Sequence, residues 1–220
     1  MMRHLTILLV ACSLTLALSG CQTSRPTDAI RDHGDFLFDH GQYAEAADEY
    51  TEIVHRYPGD WQAQHRLGVC LMHTNQLPQA RSALETAYSA RRNDSQVASD
   101  LAEVMYRQGD TNRLFALLRE RAEATHSTRA YEQLADYAMQ AGDPDSAKSA
   151  LETAIEVDNG KSVDPYLAAA DFEQKLGNLD QATRRLRQAY GINPKDPRVN
   201  DRLRQMGEVP GPTLALPPGR

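Results

Sequence analysis

Cysteine is scarce: three in 220 residues, of which Cys12 and Cys21 fall in the apolar N-terminal stretch. That leaves Cys70, set among Val69, Leu71 and Met72, which reads as a buried inert thiol and excludes a disulfide framework. Aromatic residues make up 6% of the chain, with one tryptophan, too few to build a single large aromatic core. Alternation of apolar and polar residues is also missing, so strands are not expected. Bases do not predominate: 24 Lys and Arg stand against 30 Asp and Glu, a net charge of −6, which argues against nucleic acid and anionic headgroups as partners. No nucleotide loop, nucleophile elbow, HExxH or CxxC occurs. Nothing supports an enzyme, a metal or a cofactor.

Isolated histidines and acids do not change this. His33 and His40 lie near one helical face beside Asp35 and Asp39, but a metal needs convergent ligands, and a partly buried terminal helix is the simpler reading. "DNGKSVD" at 158–164 lacks the alternating oxygen ligands and closing glutamate of a calcium loop.

What the chain does contain is repetition. "GQYAEAADEYTEIVHRYPGD" (41–60) returns as "GNLDQATRRLRQAYGINPKD" (177–196), with "NQLPQARSALETAYSARRND" (75–94) and "GDPDSAKSALETAIEVDNGK" (142–161) between them and a weaker copy at 109–128. A second helical pattern precedes each copy. Units beginning at Thr27, Trp61, Ser95, Thr128 and Val163 are spaced by 34, 34, 33 and 35 residues. Small residues recur at unit position 8 (Gly34, Gly68, Ala102, Ala135, Ala170) and position 20 (Ala46, Ala80, Ala147, Ala182), where two helices must approach closely. Leu67, Leu101 and Leu134 at position 7 would fill the space between units.

This helix–turn–helix period resembles the tetratricopeptide repeat family. The resemblance implies an all-α fold: a right-handed α-solenoid of about five units near 27–60, 61–94, 95–127, 128–162 and 163–196, closed by a capping helix at 197–206. His33 at position 7 departs from the pattern. So does unit three, with Leu114 at position 20 and Arg121 at position 27, and its helix pair is expected to pack loosely. The resemblance also implies a concave groove lined by the first helices. An apolar row at position 12 includes Phe38, Met72, Tyr106 and Met139; an acidic row at position 9 includes Asp35, Glu103, Asp136 and Asp171. For single residues a solvated face or plain inter-unit packing is the alternative. The lysine and asparagine of the family's carboxylate clamp are missing. The groove therefore suits a protein or peptide with apolar anchors and basic flanks.

The ends differ from the middle. Residues 1–20 carry Arg3, an apolar run and small residues, the pattern of a secretory signal too short to span a membrane. Leu18-Ser19-Gly20-Cys21 resembles the lipobox of bacterial lipoproteins, which implies lipidation of Cys21, a tether over 21–26 and a place on the periplasmic face of the envelope. Gln22 favours the outer membrane over the inner. An ordinary signal with an incidental cysteine is the alternative. Loss of Arg3 with the signal leaves 23 bases against 30 acids, or −7. Residues 207–220 are rich in proline and glycine and read as a disordered or extended tail, a loose end whose apolar island Thr213 to Leu216 has docking on a partner as its alternative. The expectation is a membrane-anchored adaptor or scaffold in envelope assembly. The alternatives are a self-associating structural lipoprotein, or a non-catalytic subunit or carrier in an enzyme complex.

Overall fold

The computed structural model describes residues 25–219. The signal segment and Cys21 lie outside them. Among the described residues there are eleven helices and no strands. Five antiparallel pairs follow the chain: α1 (Thr27–Asp39) with α2 (Tyr43–Arg56), α3 (Trp61–His73) with α4 (Leu77–Ala90), and α5 (Ser95–Arg107) with α6 (Thr111–Thr125). Then come α7 (Thr128–Gln140) with α8 (Pro144–Asp158) and α9 (Asp164–Lys175) with α10 (Leu179–Ile192), capped by α11 (Pro197–Gln205). Each helix packs mainly on its neighbours in sequence, the signature of a solenoid.

The turn inside each pair falls at one repeat position. Gly41, Asn75, Gly109, Gly142 and Gly177 all have left-handed φ, between 61° and 78°. That conformation suits glycine, and asparagine among the other residues. Aspartate caps open α3, α5, α6, α8 and α11: Asp60 accepts from the Ala63 amide, Asp94 from Gln96 and Val97, Asp110 from Arg113, Asp143 from Ser146, and Asp196 from Arg198.

Small residues set the helix separation. Ala46, Ala80, Ala147 and Ala182 are all fully buried. A Cβ at Gly68 would lie 2.5 Å from Cγ of Leu84, so α3 and α4 close up as only a glycine allows. Unit three differs. Leu114 is fully buried where the others have alanine, and α5 and α6 make the sparsest pairing within any unit. Cys70 is fully buried, and burial pushes its thiol up to about 12, well above the range of a reactive thiolate.

The C-terminal segment takes the extended form of the expected tail, but it is docked and not a loose end. Residues 212–219 lie along α10, Leu214 is buried, and the Leu216 amide donates to the Arg187 carbonyl at 3.1 Å. Prolines forbid a helix there, but they do not forbid an extended strap that finds partners for its own backbone.

Candidate functional site

The first helices of adjacent units meet directly, α3 with α5 and α7 with α9, while no pair of second helices does so to that extent among the described residues. The array therefore curves with its first helices inside, and their outward rows line a groove.

Polar rungs cross this groove between residues one repeat apart. His65 Nε2 lies 2.6 Å from Asp100 Oδ2, Gln133 Nε2 donates to Ser99 Oγ at 3.0 Å, and the Tyr137 hydroxyl donates to Glu103 at 3.1 Å. Arg107 donates to the Met72 carbonyl and to Asn75, both at 3.0 Å. At the end of the array Arg198 pairs with Asp164 at 2.8 Å, and Arg202 with Asp171. Sequence analysis missed these rungs, although donor–acceptor pairs 34 or 35 residues apart are visible in the chain.

The predicted acidic row is therefore divided. Asp35 accepts from the Tyr50 hydroxyl at 2.5 Å, Glu103 is taken by Tyr137, and Asp171 by Arg202 of the cap. Asp136 stands exposed, and the repeat position that would face it with a hydroxyl is Phe172. Nearby Glu132 has the same fate: the place one unit on from which Gln133 reaches Ser99 is taken by Ala168, and the Glu132 Oε1 is enclosed with no hydrogen-bond partner. Burial raises the Glu132 carboxyl, Asp164, Asp136 and Asp158 add to the rise, and Arg129 opposes it. The groove wall similarly strips hydration from Asp136; Lys175 pulls its pKa down, Asp171 pushes it up, and the net shift is upward.

The apolar row is less available than the sequence implied. Met72 is only 8% exposed and belongs to the core, while Met139 and Tyr106 are partly buried against it. Tyr106 and Tyr137 form a tilted ring pair with centroids 5.5 Å apart. Phe38 is half-buried, and the Arg66 guanidinium sits 4.3 Å from its ring centroid. Two open clefts of about 620 Å³ result. One gathers Phe38, Tyr43, His65, Met72 and Asp100; the other gathers Ser99, Arg121, Glu132, Gln133 and Asp136. Arg121, a departure from the repeat pattern, donates to Gln133 at 2.8 Å and so supports that rung. No group of three or more metal-ligating side chains converges among the described residues.

Several solved structures share this architecture. MamA of Desulfovibrio magneticus RS-1 superposes with a TM-score of 0.59 at 12% identity, covering 79% of this chain and 98% of that one. TTC0263, a thermophilic tetratricopeptide repeat protein of Thermus thermophilus, gives 0.50 at 18%, covering 82% and 98%. YrrB, described as a tetratricopeptide repeat protein with an unusual peptide-binding site, gives 0.52 at 18%, covering 82% and 92%. At such identities the likeness establishes the fold alone. A search of the curated proteins finds no match. The family model for the tetratricopeptide repeat matches residues 37–104 and 138–205. The gap between the two matches spans most of unit three, where Leu114 and Arg121 break the pattern. With five helix pairs in register and the greater part of its length matched, the chain belongs to the tetratricopeptide repeat family.

Proposed function

We propose that this chain is a lipid-anchored scaffold on the periplasmic face of a bacterial envelope membrane, the outer more than the inner, which holds a protein segment during envelope assembly. It acts by binding and carries out no reaction. The segment lies in the first-helix groove, with an apolar anchor in the cleft of Phe38 and Met72 and lysine or arginine flanks towards the polar cleft of Glu132 and Asp136.

One observation carries the groove reading. Units two to four close their inner face with rungs, whereas Glu132 and Asp136 have lost theirs to Ala168 and Phe172. A carboxylate without a donor, held above its ordinary pKa, gains most from an arriving cation. Exposed charge pairs contribute only about 0.2–1 kcal/mol each, so the half-buried Phe38 and Tyr106 supply affinity while the acids select among partners. Peptide binding in YrrB is in keeping with this use of the fold. The membrane part rests on the ending Leu18-Ser19-Gly20-Cys21 and on Gln22.

Selection of a displayed peptide library on the full chain tests the groove. Enriched segments should combine bulky apolar residues with Lys or Arg, and should lose binding to the Glu132→Lys, Asp136→Lys double variant. An acidic consensus, or binding indifferent to that reversal, would move the partner site off the groove.

A further inference from the structure

The docked C-terminal segment occupies a surface that resembles a peptide receptor in its construction. Its contacts are not with the groove rows. They fall on the second helix α10, on Tyr166 of α9 and on the turn after α8.

Recognition is of an extended main chain. Arg187 Nε donates to the Leu214 carbonyl at 3.0 Å, and the Leu216 amide returns a bond to the Arg187 carbonyl at 3.1 Å. Gln188 Nε2 donates to the carbonyls of Pro217 at 3.4 Å and Gly219 at 2.9 Å. Arg185 donates to the same Gly219 carbonyl at 3.2 Å, and the Gly219 amide donates to the Tyr166 hydroxyl at 3.1 Å. Gln188 is 3% exposed and Arg185 9%, so these polar side chains are enclosed and the strap's carbonyls accept from them.

Side chains add a register. Leu214 is buried, Ala215 exposed and Leu216 half-buried, the alternation of an extended strand on a surface. Gly191 supplies the space. It is helical, so backbone freedom does not explain it, and a Cβ there would stand 2.1 Å from the Leu216 carbonyl oxygen. Any other residue at 191 expels the strap. Residues 209–219, "VPGPTLALPPG", carry no charge, and their prolines restrict the free segment towards extended conformations, lowering the entropy lost on docking.

We propose that Tyr166, Arg185, Arg187, Gln188 and Gly191 form a second peptide-binding site, separate from the groove, for an uncharged extended segment with leucines at alternate positions followed by prolines. Residues 212–219 are the ligand held there in cis, and a partner segment of the same pattern exchanges with them. Tethering gives the chain's own copy an effective concentration of order millimolar, so the site stays closed to weak competitors and opens to strong ones.

The test uses the full chain and a fluorescent synthetic peptide of sequence VPGPTLALPPG. Leu214→Asp disables the tethered copy without touching the receptor, and Leu216→Asp is a second, milder version. Either should abolish hydrogen-exchange protection over 212–219 while circular dichroism stays helical. The peptide should then bind the released chain at least about tenfold more tightly than the wild type, because it no longer competes with a tethered ligand. Adding Gly191→Val should remove that binding. The proposal is overturned if 212–219 exchange freely in the wild type, if the released chains fail to bind the peptide, or if Gly191→Val leaves binding unchanged.

Discussion

The Tyr137 hydroxyl donates to Glu103 across one full repeat, at 3.1 Å, tying α7 to α5 on the inner face. Tyr137 is almost wholly buried, and both burial and the nearby Glu103 carboxylate raise its phenol above the ordinary range. Tyr137→Phe removes the donor and keeps the ring contact with Tyr106. The expected loss is about 1 kcal/mol in chemical denaturation. The double variant with Glu103→Gln should cost less than the sum of the two single changes, because both act on one bond. Strict additivity would show that the rung contributes nothing.

Glu132 and Asp136 predict a pH dependence of opposite sign to that of the helix caps. A carboxyl whose folded pKa is raised binds its proton more readily in the native state. Its contribution is fully present below the ordinary carboxylate range and is lost as pH rises through the raised value. Around Glu132 stand Arg129, Asp136, Asp158 and Asp164; around Asp136 stand Arg129, Asp171 and Lys175. The caps Asp60, Asp143 and Asp196 have lowered values, so their contribution is lost instead as pH falls through those values. Glu132→Gln should therefore raise the melting temperature at neutral pH and leave it unchanged once both carboxyls are protonated. An unfolding scan at neutral and acid pH checks this, and a destabilised variant at neutral pH would contradict the assignment.

The repeat architecture was legible because its physics is local. Glycine or asparagine at the left-handed turn and small residues at the helix contacts recur at fixed offsets, and Thr27, Trp61, Ser95 and Thr128 each begin a helix as the spacing implies. The groove was legible only in outline. A position-12 residue such as Met72 faces inward, but its spacing does not reveal that a neighbouring unit covers it to 8% exposure. Asp35 and Asp136 look alike in sequence; they differ because one finds Tyr50 and the other faces the place of Phe172. The tail's extended form was legible, but not its docking, because proline content excludes a helix without saying whether the extended segment finds a surface. A signal was present all the same in Gly191, a glycine inside a helical pattern, where the strap's backbone comes close.

Anchoring is tested at Cys21. The thiol is the nucleophile that a lipobox presents for diacylation, and serine in its place is far less nucleophilic. Two or more acyl chains bind stably because each buried methylene contributes about 0.8 kcal/mol, while a single chain holds only marginally. Cys21→Ser should shift the protein from the membrane fraction into an unprocessed or soluble form, seen by fractionation and by loss of labelled-fatty-acid incorporation. A processed Cys21→Ser chain that still sediments with membranes would refute the lipoprotein reading.

Unit three should be the softest link of the array. In unit two, a Cβ at Gly68 would lie 2.5 Å from Leu84 Cγ and 3.2 Å from the Ala80 carbonyl, so α3 and α4 leave no room there for even a methyl group. Gly68→Ala forces Leu84 aside and should cost roughly 1–3 kcal/mol by overpacking. Unit three already carries the bulk, with Leu114 buried between α5 and α6, the sparsest pair of the five. In a solenoid each unit is held only by itself and its neighbours, so a weak unit opens first and uncouples the two sides. Native-state hydrogen exchange should find α5 and α6 opening at lower free energy than α3 and α4 or α7 and α8, with Gly68→Ala narrowing the difference by weakening unit two. Equal protection of 95–127 and its neighbours would mean that Leu114 and the Arg121–Gln133 bond make good what the lost alanines give up.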